Sequence, residues 1–308
     1  MVDIIGKRFW FFLVSGVLIL ASIISLATVG LKPGIEFNSG SMLTVRFEAQ
    51  VDYTQFKQEI AKLGYEDAII QRTSTGDFLI RTHELTDEEK ALIETALTDE
   101  FGRLSEAQFS SVSPQVAAET ARNAAIAVII AMVGILIYVT FAFRRMPGAF
   151  RYGTSAIVAL VHDTLVTAGI FSVLGAILGW EINLMFITGI LAIVGYSINN
   201  TIVVFDRIRE NQTKGISTDF QNVVNSSVVQ TLGRSLNTTI TTLITVLALL
   251  LFVGATIQNF VVVLLIGLIV GTFDSVLVAP GLLVVWSKGE WGRFIGRRLV
   301  TSGEAKGV

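Results

Sequence analysis

The sequence of 308 residues contains no cysteine and only two histidines. The absence of cysteine excludes a disulfide framework, thiolate zinc sites and cysteine nucleophiles. His83 and His162 lie far apart in the sequence, which argues against a histidine metal cluster. Charge is also scarce, because 16% of the residues are charged where a soluble domain carries about 25%. Hydrophobic residues make up 52% and the mean hydropathy is +0.66, so the composition predicts an integral membrane protein.

Motifs for nucleotide chemistry are missing as well. No G-x-x-x-x-G-K-[ST] occurs in the sequence, and no G-x-G-x-x-G follows a predicted strand. Any work that this protein does must therefore draw its energy from a partner or from an ion gradient. The net charge of −2 gives no general basic surface, so we expect no nucleic acid among the partners.

Six apolar segments have the length of about 20 residues that a membrane-spanning helix needs. They cover residues 9–29, 124–143, 153–179, 183–205, 236–254 and 259–286. The first follows Lys7 and Arg8, so a signal peptide is the alternative interpretation. Its apolar stretch is longer than a signal peptide's hydrophobic region and no convincing cleavage site follows. We expect an uncleaved membrane anchor.

The basic residues that flank these segments predict the topology, because cytoplasmic loops are enriched in Lys and Arg. The basic flanking residues are Lys7, Arg8, Arg144, Arg145, Arg151, Arg207, Arg209, Lys214, Lys288, Arg293, Arg297 and Arg298. The connections near 180–182 and 255–258 contain neither Lys nor Arg. Both termini are therefore predicted to be cytoplasmic. The predicted organisation is a first span within 1–30, an exported domain over 31–122, five spans within 123–288 and a basic tail over 289–308 at the membrane surface.

The segment 31–122 has the pattern of a small α+β domain. Strands are predicted at 41–47, 68–72, 78–81 and 107–112, with helices at 53–63 and 87–101. Thr86 followed by Glu89 is typical of a helix capping box. The order β-α-β-β-α-β is that of a ferredoxin-like split βαβ unit. The predicted fold is therefore an integral membrane, mainly α protein of six helices, with an α+β ferredoxin-like domain between helices 1 and 2.

Polar residues at membrane depth are the candidates for function, because each costs free energy unless it faces protein or water. The third segment contains His162 and Asp163, and the sixth contains Asp274 after the small-residue pair Gly267 and Gly271, whose spacing permits close helix contact. The fourth and fifth carry further polar side chains, namely Ser197, Asn199, Asn200, Thr201, Asn237, Thr238, Thr239, Thr241 and Thr242. Between these two segments, residues 217–233 are amphipathic and predict a helix on the cytoplasmic membrane surface, which Arg234 follows.

Several strings together resemble one family. They are GIEFNSG at 34–40, ALVHD at 159–163, GYSIN at 195–199, VVFDRIREN at 203–211, and GT at 271–272 with Ala279. With the spans and the exported domain, they make the chain similar over almost its whole length to the SecF family, the smaller half of the SecD/SecF accessory of the bacterial Sec translocase.

The resemblance implies one half of a transporter of the resistance-nodulation-division class in the bacterial inner membrane. Together with SecD, such a protein uses the proton motive force, or sodium in some relatives, to assist preprotein translocation. The resemblance therefore implies an ion-coupled transport or translocase subunit without a catalytic site, and we expect no metal and no cofactor other than protons or Na⁺ as the coupling ion. The implied partners are SecD, the SecYEG translocon, SecA, YajC, YidC, the unfolded preprotein and membrane lipid. Such folds are built from two similar halves, so we expect the spans 183–205 and 236–254, with Ser197 and Thr239, to face SecD.

The sequence departs from the family pattern at two informative positions. Asn200 stands where the family has an aspartate associated with proton passage, whereas the matching arginine, Arg234, is present. Asp274 stands where relatives carry a small hydroxyl residue. It is either a relocated proton carrier or a buried acid paired with a cation. We predict that Arg234 lies near Asn200.

The predicted ion pathway therefore consists of Asn200, Arg234, Asp274 and Asp163. For Asn200 and Arg234 the alternative is hydrogen bonding between helices, and Asp163 either lines a path or makes a bundle contact with His162. A structural motif is predicted at the cytoplasmic end of the fourth segment, where ion pairs would fix the following loop. It comprises Asp206, Arg207, Arg209, Glu210, Ser197 and Asn199. Two other functions stay open: a non-coupled scaffold of the translocon, and half of a lipid or small-molecule transporter.

Overall fold

The computed structural model describes residues 2–73, 76–252 and 255–295. Its elements in chain order are a 3₁₀ turn Ile5–Lys7, α1 Arg8–Thr28, α2 Ile35–Asn38, β1 Gly40–Phe47, α3 Tyr53–Lys62, β2 Ile69–Arg72, β3 Phe78–Thr82, α4 Asp87–Phe101, β4 Leu104–Val112, α5 Pro114–Ala142, α6 Ala149–Leu178, α7 Leu184–Thr213, α8 Phe220–Phe252, α9 Ala255–Phe273, a π-helical turn Asp274–Val278, α10 Ala279–Lys288 and a 3₁₀ turn Glu290–Ile295.

Among the described residues, six helices are long and apolar enough to cross a membrane, so the predicted number of spans is confirmed. The sixth is the composite of α9, the π-helical turn and α10. The outward sides of α1 and α5 are apolar, with Trp10 and Ile130 69% and 65% exposed, which suits contact with lipid. The chain is a multi-pass membrane protein. Of the predicted tail, residues 296–308 lie outside the described range.

Two helices extend well beyond the predicted spans. The helix α5 begins at Pro114, ten residues before the predicted segment, where Ser113 accepts a hydrogen bond from the Val116 amide. The separate surface helix predicted at 217–233 is wrong, because α8 runs without a break from Phe220 to Phe252. An internal glycine such as Gly233 costs a helix only about 1 kcal/mol. The first half of α8 also buries Val224 and Val228, so packing outweighs that cost.

The helix α7 lies at the centre of the bundle, in contact with α5, α6, α8 and α9. The predicted close contact at Gly267 and Gly271 is present: a Cβ at Gly267 would collide with Ile193, and one at Gly271 would lie 3.0 Å from Ser197 Cβ. Small residues therefore let α9 approach α7 closely, as in other membrane bundles.

The four strands form one antiparallel sheet in the order β2-β3-β1-β4. Its buried side carries a core of its own against α3 and α4, which includes Leu43, Phe56, Phe78 and Leu97. The capping box at the start of α4 is confirmed. Thr86 Oγ1 accepts from the amide of Glu89, whose carboxylate accepts from the Thr86 amide at 2.8 Å.

The sheet is docked on the loop between α6 and α7. Gln71 Nε2 donates to the Gly179 carbonyl at 3.0 Å, and Arg81 donates to the Pro33 carbonyl at 2.7 Å. Arg81 also forms an ion pair with Glu181. We call this set the docking contact, and the end of the bundle where it lies the sheet end. Since α6 finishes and α7 starts here, the sheet is joined to the helices that carry the buried residues His162, Asp163 and Ser197.

Candidate functional site

Three ionisable side chains meet in the middle of the helical bundle. His162 and Asp163 lie in α6, and Asp274 is the first residue of the π-helical turn. Their exposed fractions are 2%, 0% and 0%. His162 Nδ1 lies 2.5 Å from Asp274 Oδ2 and 3.7 Å from Asp163 Oδ1. One imidazole nitrogen therefore faces two carboxylates at membrane depth. We call these three residues the buried cluster.

The π-helical turn has a local cause in the sequence. The Ala279 amide donates to the Asp274 carbonyl, five residues back, and the next residue is Pro280. Proline has no amide hydrogen and its ring clashes with the preceding helical turn. The wider turn accommodates the ring, and π-helical turns inside α-helices are frequent at functional sites. Pro280 thus sets the backbone from which Asp274 projects.

Hydroxyl groups from α7 and the π-helical turn surround the acids. Ser197 Oγ donates to Asp163 Oδ2 at 2.5 Å. Thr201 Oγ1 donates to Ser275 Oγ at 3.0 Å, and Ser275 Oγ donates to the Ser197 carbonyl at 3.0 Å. The two serine hydroxyls are 3.5 Å apart. The hydroxyls form a connected polar path between Asp163 and the residue next to Asp274.

The buried cluster itself is short of hydrogen bonds. Within the described ranges, neither nitrogen of His162, neither oxygen of Asp274, nor Oδ1 of Asp163 has a hydrogen-bond partner of suitable geometry. The 2.5 Å approach of His162 to Asp274 is a close contact between an imidazole and an acid, which becomes an ion pair when the imidazole is protonated. Burial of uncompensated charge costs several kcal/mol per ion. Two carboxylates beside one imidazole thus need further positive charge.

The buried cluster is also where an ion could be held. One potential ligand atom from each of its three residues lies within 4.8 Å of the others, and no other such grouping of His, Asp and Glu occurs among the described residues. The arrangement can therefore bind protons or one small cation. For a membrane-embedded group of this kind, ion transfer is the chemistry to consider first.

No hydrogen bond joins Asn200 and Arg234 among the described contacts, and their predicted proximity stays a prediction. Asn200 is 3% exposed, and its Nδ2 has no hydrogen-bond partner among the described residues. Arg234 lies on the exposed side of α8, and its guanidinium makes no hydrogen bond or ion pair within the described chain. The two helices are in contact, and Tyr196 donates to Thr239 at 3.3 Å.

The predicted motif at the far end of α7 forms ion pairs one helical turn apart. Asp206 pairs with Arg209, Arg207 with Glu210 at 2.8 Å, and Lys214 with Glu210 at 2.6 Å. These side chains are between about two-fifths and three-fifths exposed. Such surface pairs contribute little free energy, and their role in fixing the loop stays a prediction. The prediction also placed Asn199 and Ser197 in this motif. Asn199 is exposed, whereas Ser197 is buried and contacts Asp163 of the buried cluster.

Sequence reasoning missed two features of the site. It placed Ser197 and Thr239 at a partner interface, but both are buried in the bundle, where Thr239 Oγ1 lies 2.7 Å from Thr272 Oγ1. It also did not pair His162 with Asp274. The signal available was that an imidazole and an acid both stand in apolar spans, where each needs a partner.

The comparisons with known proteins agree with this architecture. Over residues 92–289 the chain matches the family described as protein export membrane protein SecD/SecF, C-terminal. Residues 24–51 match the SecD/SecF GG motif. The chain belongs to the SecD/SecF family.

Relatives in this family resemble the chain over most of its length. Protein translocase subunit SecF of Thermobaculum terrenum is 40% identical over 309 residues, which cover 96% of this chain and 98% of that protein. Protein translocase subunit SecDF of Bacillus subtilis is 35% identical over 292 residues, which cover 92% of this chain but 38% of that protein. The crystal structure of SecDF, a translocon-associated membrane protein from Thermus thermophilus, superposes with a TM-score of 0.82 at 32% identity and covers 93% of this chain. The chain spans 39% of that structure's chain.

The stretch that matches the GG motif, residues 24–51, contains a strained turn. The turn is formed by Ser39-Gly40, with Ser39 at φ 57° and ψ 172° and Gly40 at φ 116°. A Cβ at Gly40 would lie 2.5 Å from the Thr82 carbonyl oxygen. The backbone region that Ser39 occupies is adopted almost only by glycine. Two glycines therefore suit the turn between α2 and β1, and this chain has one of them.

Proposed function

We propose that this chain is the SecF-type subunit of a protein-export accessory complex, which with a SecD-type partner uses the proton or sodium motive force to assist preprotein translocation through the Sec channel. The observation that carries the proposal is the buried cluster of His162, Asp163 and Asp274. Ionisable groups are retained in membrane spans chiefly where ions or protons pass. The proposed role is that of an ion-coupled translocase subunit, not of an enzyme, and the ion is its only cofactor.

The SecD partnership is supported by the SecDF relatives, in which a chain like this one makes up 38–39% of a longer chain. Transporters of this class are built from two similar halves. In the described part of this chain, α8 presents an exposed row of polar side chains at the spacing of one helix face, which begins just before the predicted span 236–254 and continues into it. The row comprises Arg234, Asn237, Thr238, Thr241 and Thr245. A partner helix there would remove these groups from lipid.

The proposed topology follows the charge distribution of the sequence. Both termini lie in the cytoplasm and the sheet end lies outside a bacterial inner membrane. The order β-α-β-β-α-β supports a ferredoxin-like exported domain. SecYEG, SecA, YajC, YidC and the unfolded preprotein are the further partners proposed from family membership.

Coupling requires that the buried cluster meets water from one side of the membrane at a time. In the proposed cycle, α6 and α7 shift relative to the sixth span, and the cluster takes up an ion at one side and releases it at the other. The same two helices end at the docking contact, so their shift moves the sheet. An exported sheet that moves with ion uptake is a means of acting on a polypeptide leaving the channel.

A non-coupled scaffold is the second candidate function, and Asn200 is the observation that favours it. An amide has no proton to exchange near neutral pH, so the position associated with proton passage in the family cannot carry protons here. The buried cluster offers a different carrier, and this is why coupled export is the preferred function.

Gradient-dependent export in proteoliposomes tests the proposal. The chain is reconstituted with its SecD partner, SecYEG and SecA, and translocation of a preprotein is measured with and without an imposed ion gradient. We expect Asp274→Asn to lose the gradient-dependent part of export. The matched control, Asp206→Asn, changes an exposed acid of α7 and should keep it. Export that never responds to a gradient in the unmodified complex would leave the scaffold as the function.

A further inference from the structure

We propose that the turn between α5 and α6 binds the headgroup of an anionic phospholipid, and that the outward face of α5 holds its acyl chains. The turn joins Ala142, the last residue of α5, to Ala149, the first residue of α6. We call it, together with Arg144, Arg145 and Arg151, the arginine turn. The inference goes beyond the proposed function and does not depend on ion coupling. It starts from the charges of the turn, its fixed shape and the apolar strip beside it.

The three arginines have no acid to balance them. Arg144, Arg145 and Arg151 are exposed and carry three positive charges within eight residues of sequence. No Asp or Glu occurs from residue 120 to residue 162, and within the described chain none of the three arginines forms an ion pair. The arginine turn therefore presents positive charge that nothing in the surrounding hairpin neutralises.

Other basic residues at the same end of the bundle are paired. Arg8 pairs with Glu290, Arg209 with Asp206, and both Arg207 and Lys214 with Glu210. The charge bias that sets topology is a count of Lys and Arg and does not require that they lack acidic partners. The unpaired state of the arginine turn is thus a property beyond topology, and it calls for an anion from outside the chain.

The shape of the turn is fixed by buried side chains. Phe143 and Met146 are 2% and 8% exposed, and the Phe143 ring stacks on Tyr152 with the centroids 5.1 Å apart. The Met146 amide donates to the Phe143 carbonyl at 2.8 Å. Gly148 has a φ of 72°, and a Cβ there would lie 3.0 Å from the Arg151 Cδ, so the Arg151 side chain lies back over the turn. A site held in this way loses little conformational freedom on binding.

An apolar strip begins where the charges end. The Arg144 guanidinium lies 4.0 Å from the centroid of the Phe141 ring, and Phe141 is 62% exposed. Along α5 the strip continues at helical spacing through residues that are each about half exposed or more. These residues are Ile137, Val133 and Ile130. On α6, Phe150 is 59% exposed beside the turn. Positive charge and hydrocarbon-facing surface are therefore adjacent.

A phospholipid matches both parts of this surface. Guanidinium groups form paired hydrogen bonds with phosphate oxygens, and basic residues next to a membrane span attract anionic headgroups. The acyl chains of the same molecule would lie along the strip on α5. Inorganic phosphate or an acidic soluble protein would match the arginines and leave the strip without a ligand. In the proposed topology, the lipid belongs to the cytoplasmic leaflet.

A fluorophore placed beside the arginine turn tests the site. Ala142→Cys adds a cysteine at an exposed position of a chain that has none. The labelled chain is reconstituted with a cysteine-free SecD partner in phosphatidylcholine vesicles. Brominated phosphatidylglycerol and brominated phosphatidylcholine are then compared as quenchers, since bromine quenches only from nearby positions. We expect phosphatidylglycerol to quench at a clearly lower mole fraction than phosphatidylcholine.

Variants of single arginines locate the preference. Arg145→Gln should lower the preference for phosphatidylglycerol by about five-fold, the contribution of one basic residue near a charged membrane surface. Arg207→Gln removes the same charge from a paired arginine at the same end of the bundle, and it should keep the preference. Lysine at all three positions of the arginine turn retains the charge and should keep most of it. Glutamine at all three should abolish it, and the single variants decide if that protein does not assemble with SecD.

Four results would overturn the site. Equal quenching by the two lipids would show no preference for an anionic headgroup. Equal losses in Arg145→Gln and Arg207→Gln would trace the preference to the overall charge of this end. Displacement of the brominated lipid by inorganic phosphate at constant ionic strength would mean that the turn binds the anion alone. Quenching by neither lipid would mean that a protein covers the turn.

Discussion

At the scale of single residues, Ser39 has a backbone conformation that favours glycine over a residue with a side chain. Its φ of 57° with ψ of 172° lies in a region that costs a non-glycine residue about 1–3 kcal/mol. We predict that Ser39→Gly raises the free energy of unfolding by about 1 kcal/mol, less than the full strain because glycine also gains entropy in the unfolded chain. Thermal unfolding of the purified complex measures it. Ser110→Gly in the exposed strand β4 is the control and should be neutral or destabilising.

Asn200 differs from aspartate by one amide group, and that difference tests where the carrier lies. Because Asn200 is buried on α7 next to Thr201, which contacts the π-helical turn, an acid there would supply a titratable group to the same region. We predict that Asn200→Asp adds little to gradient-dependent export of the unmodified chain but restores part of it in Asp274→Asn. The proteoliposome assay compares the single and double variants. A large gain in the Asn200→Asp single variant would contradict Asp274 as the carrier.

At the scale of elements, the sequence predicted what depends on local pattern. The six apolar stretches, the capping box at Thr86 and the strand positions follow from periodicity and composition, and all are present, although α5 and α8 begin ten or more residues before their predicted segments. The continuity of α8 did not follow, because the amphipathic pattern of 217–233 suits a surface helix as well as a packed one. The pairing of His162 with Asp274 depends on the tertiary contact of α6 with the sixth span across about 110 residues, which no local pattern specifies.

Pro280 gives a way to change the π-helical turn without touching the buried cluster. Replacement by alanine restores an amide donor and removes the ring, which inside a helix is worth up to about 3 kcal/mol. We predict that Pro280→Ala leaves the complex at least as stable to heat, yet lowers gradient-dependent export because Asp274 is re-aimed as the turn becomes α-helical. Pro114→Ala, at the first turn of α5 where no hydrogen bond is at stake, should alter neither. Unchanged export in Pro280→Ala would show that the turn does not position Asp274.

The docking contact links the sheet to the helices through a partly buried ion pair. Burial raises the pKa of Glu181 above its ordinary value of 4.5, and Arg81 opposes that rise. The docked form therefore binds a proton more tightly than the undocked form, so docking strengthens as the pH falls from the raised pKa towards 4.5.

Glu181→Gln should keep the sheet docked and remove this pH dependence. Arg81→Ala leaves a buried carboxylate unpaired and should weaken docking by about 3 kcal/mol.

Hydrogen exchange in β2 and β3 as a function of pH measures that docking. If protection decreases on acidification, the predicted direction of the pH dependence is wrong. The pairing of Glu181 with Arg81 would then lower the pKa of Glu181 by more than burial raises it. Equal exchange in the unmodified protein and in Arg81→Ala would show that the bond from Gln71 to the Gly179 carbonyl suffices to hold the sheet.

At the scale of the whole molecule, α8 determines where a partner must lie. The threonine hydroxyls of the row can donate to carbonyls of their own helix, as Thr238 does to the Arg234 carbonyl at 2.9 Å. The guanidinium of Arg234 and the side-chain amide of Asn237 make no such bond within the described helix. A guanidinium facing hydrocarbon costs several kcal/mol. We therefore propose the exposed polar row as the seam for the SecD partner, in place of the interface first expected around Ser197 and Thr239.

Single cysteines test the seam directly, because the chain has none of its own. We predict that Thr241→Cys forms cross-links with cysteines placed in the spans of the SecD partner, whereas Thr239→Cys, two residues away but 5% exposed and bonded to Thr272, does not. The two variants differ in the helix face and hardly in depth, so the comparison isolates orientation. Cross-linking from Thr239 and not from Thr241 would mean that α8 is rotated in the complex. In that rotation Arg234 would turn into the bundle towards Asn200, and the carrier would have to be sought there.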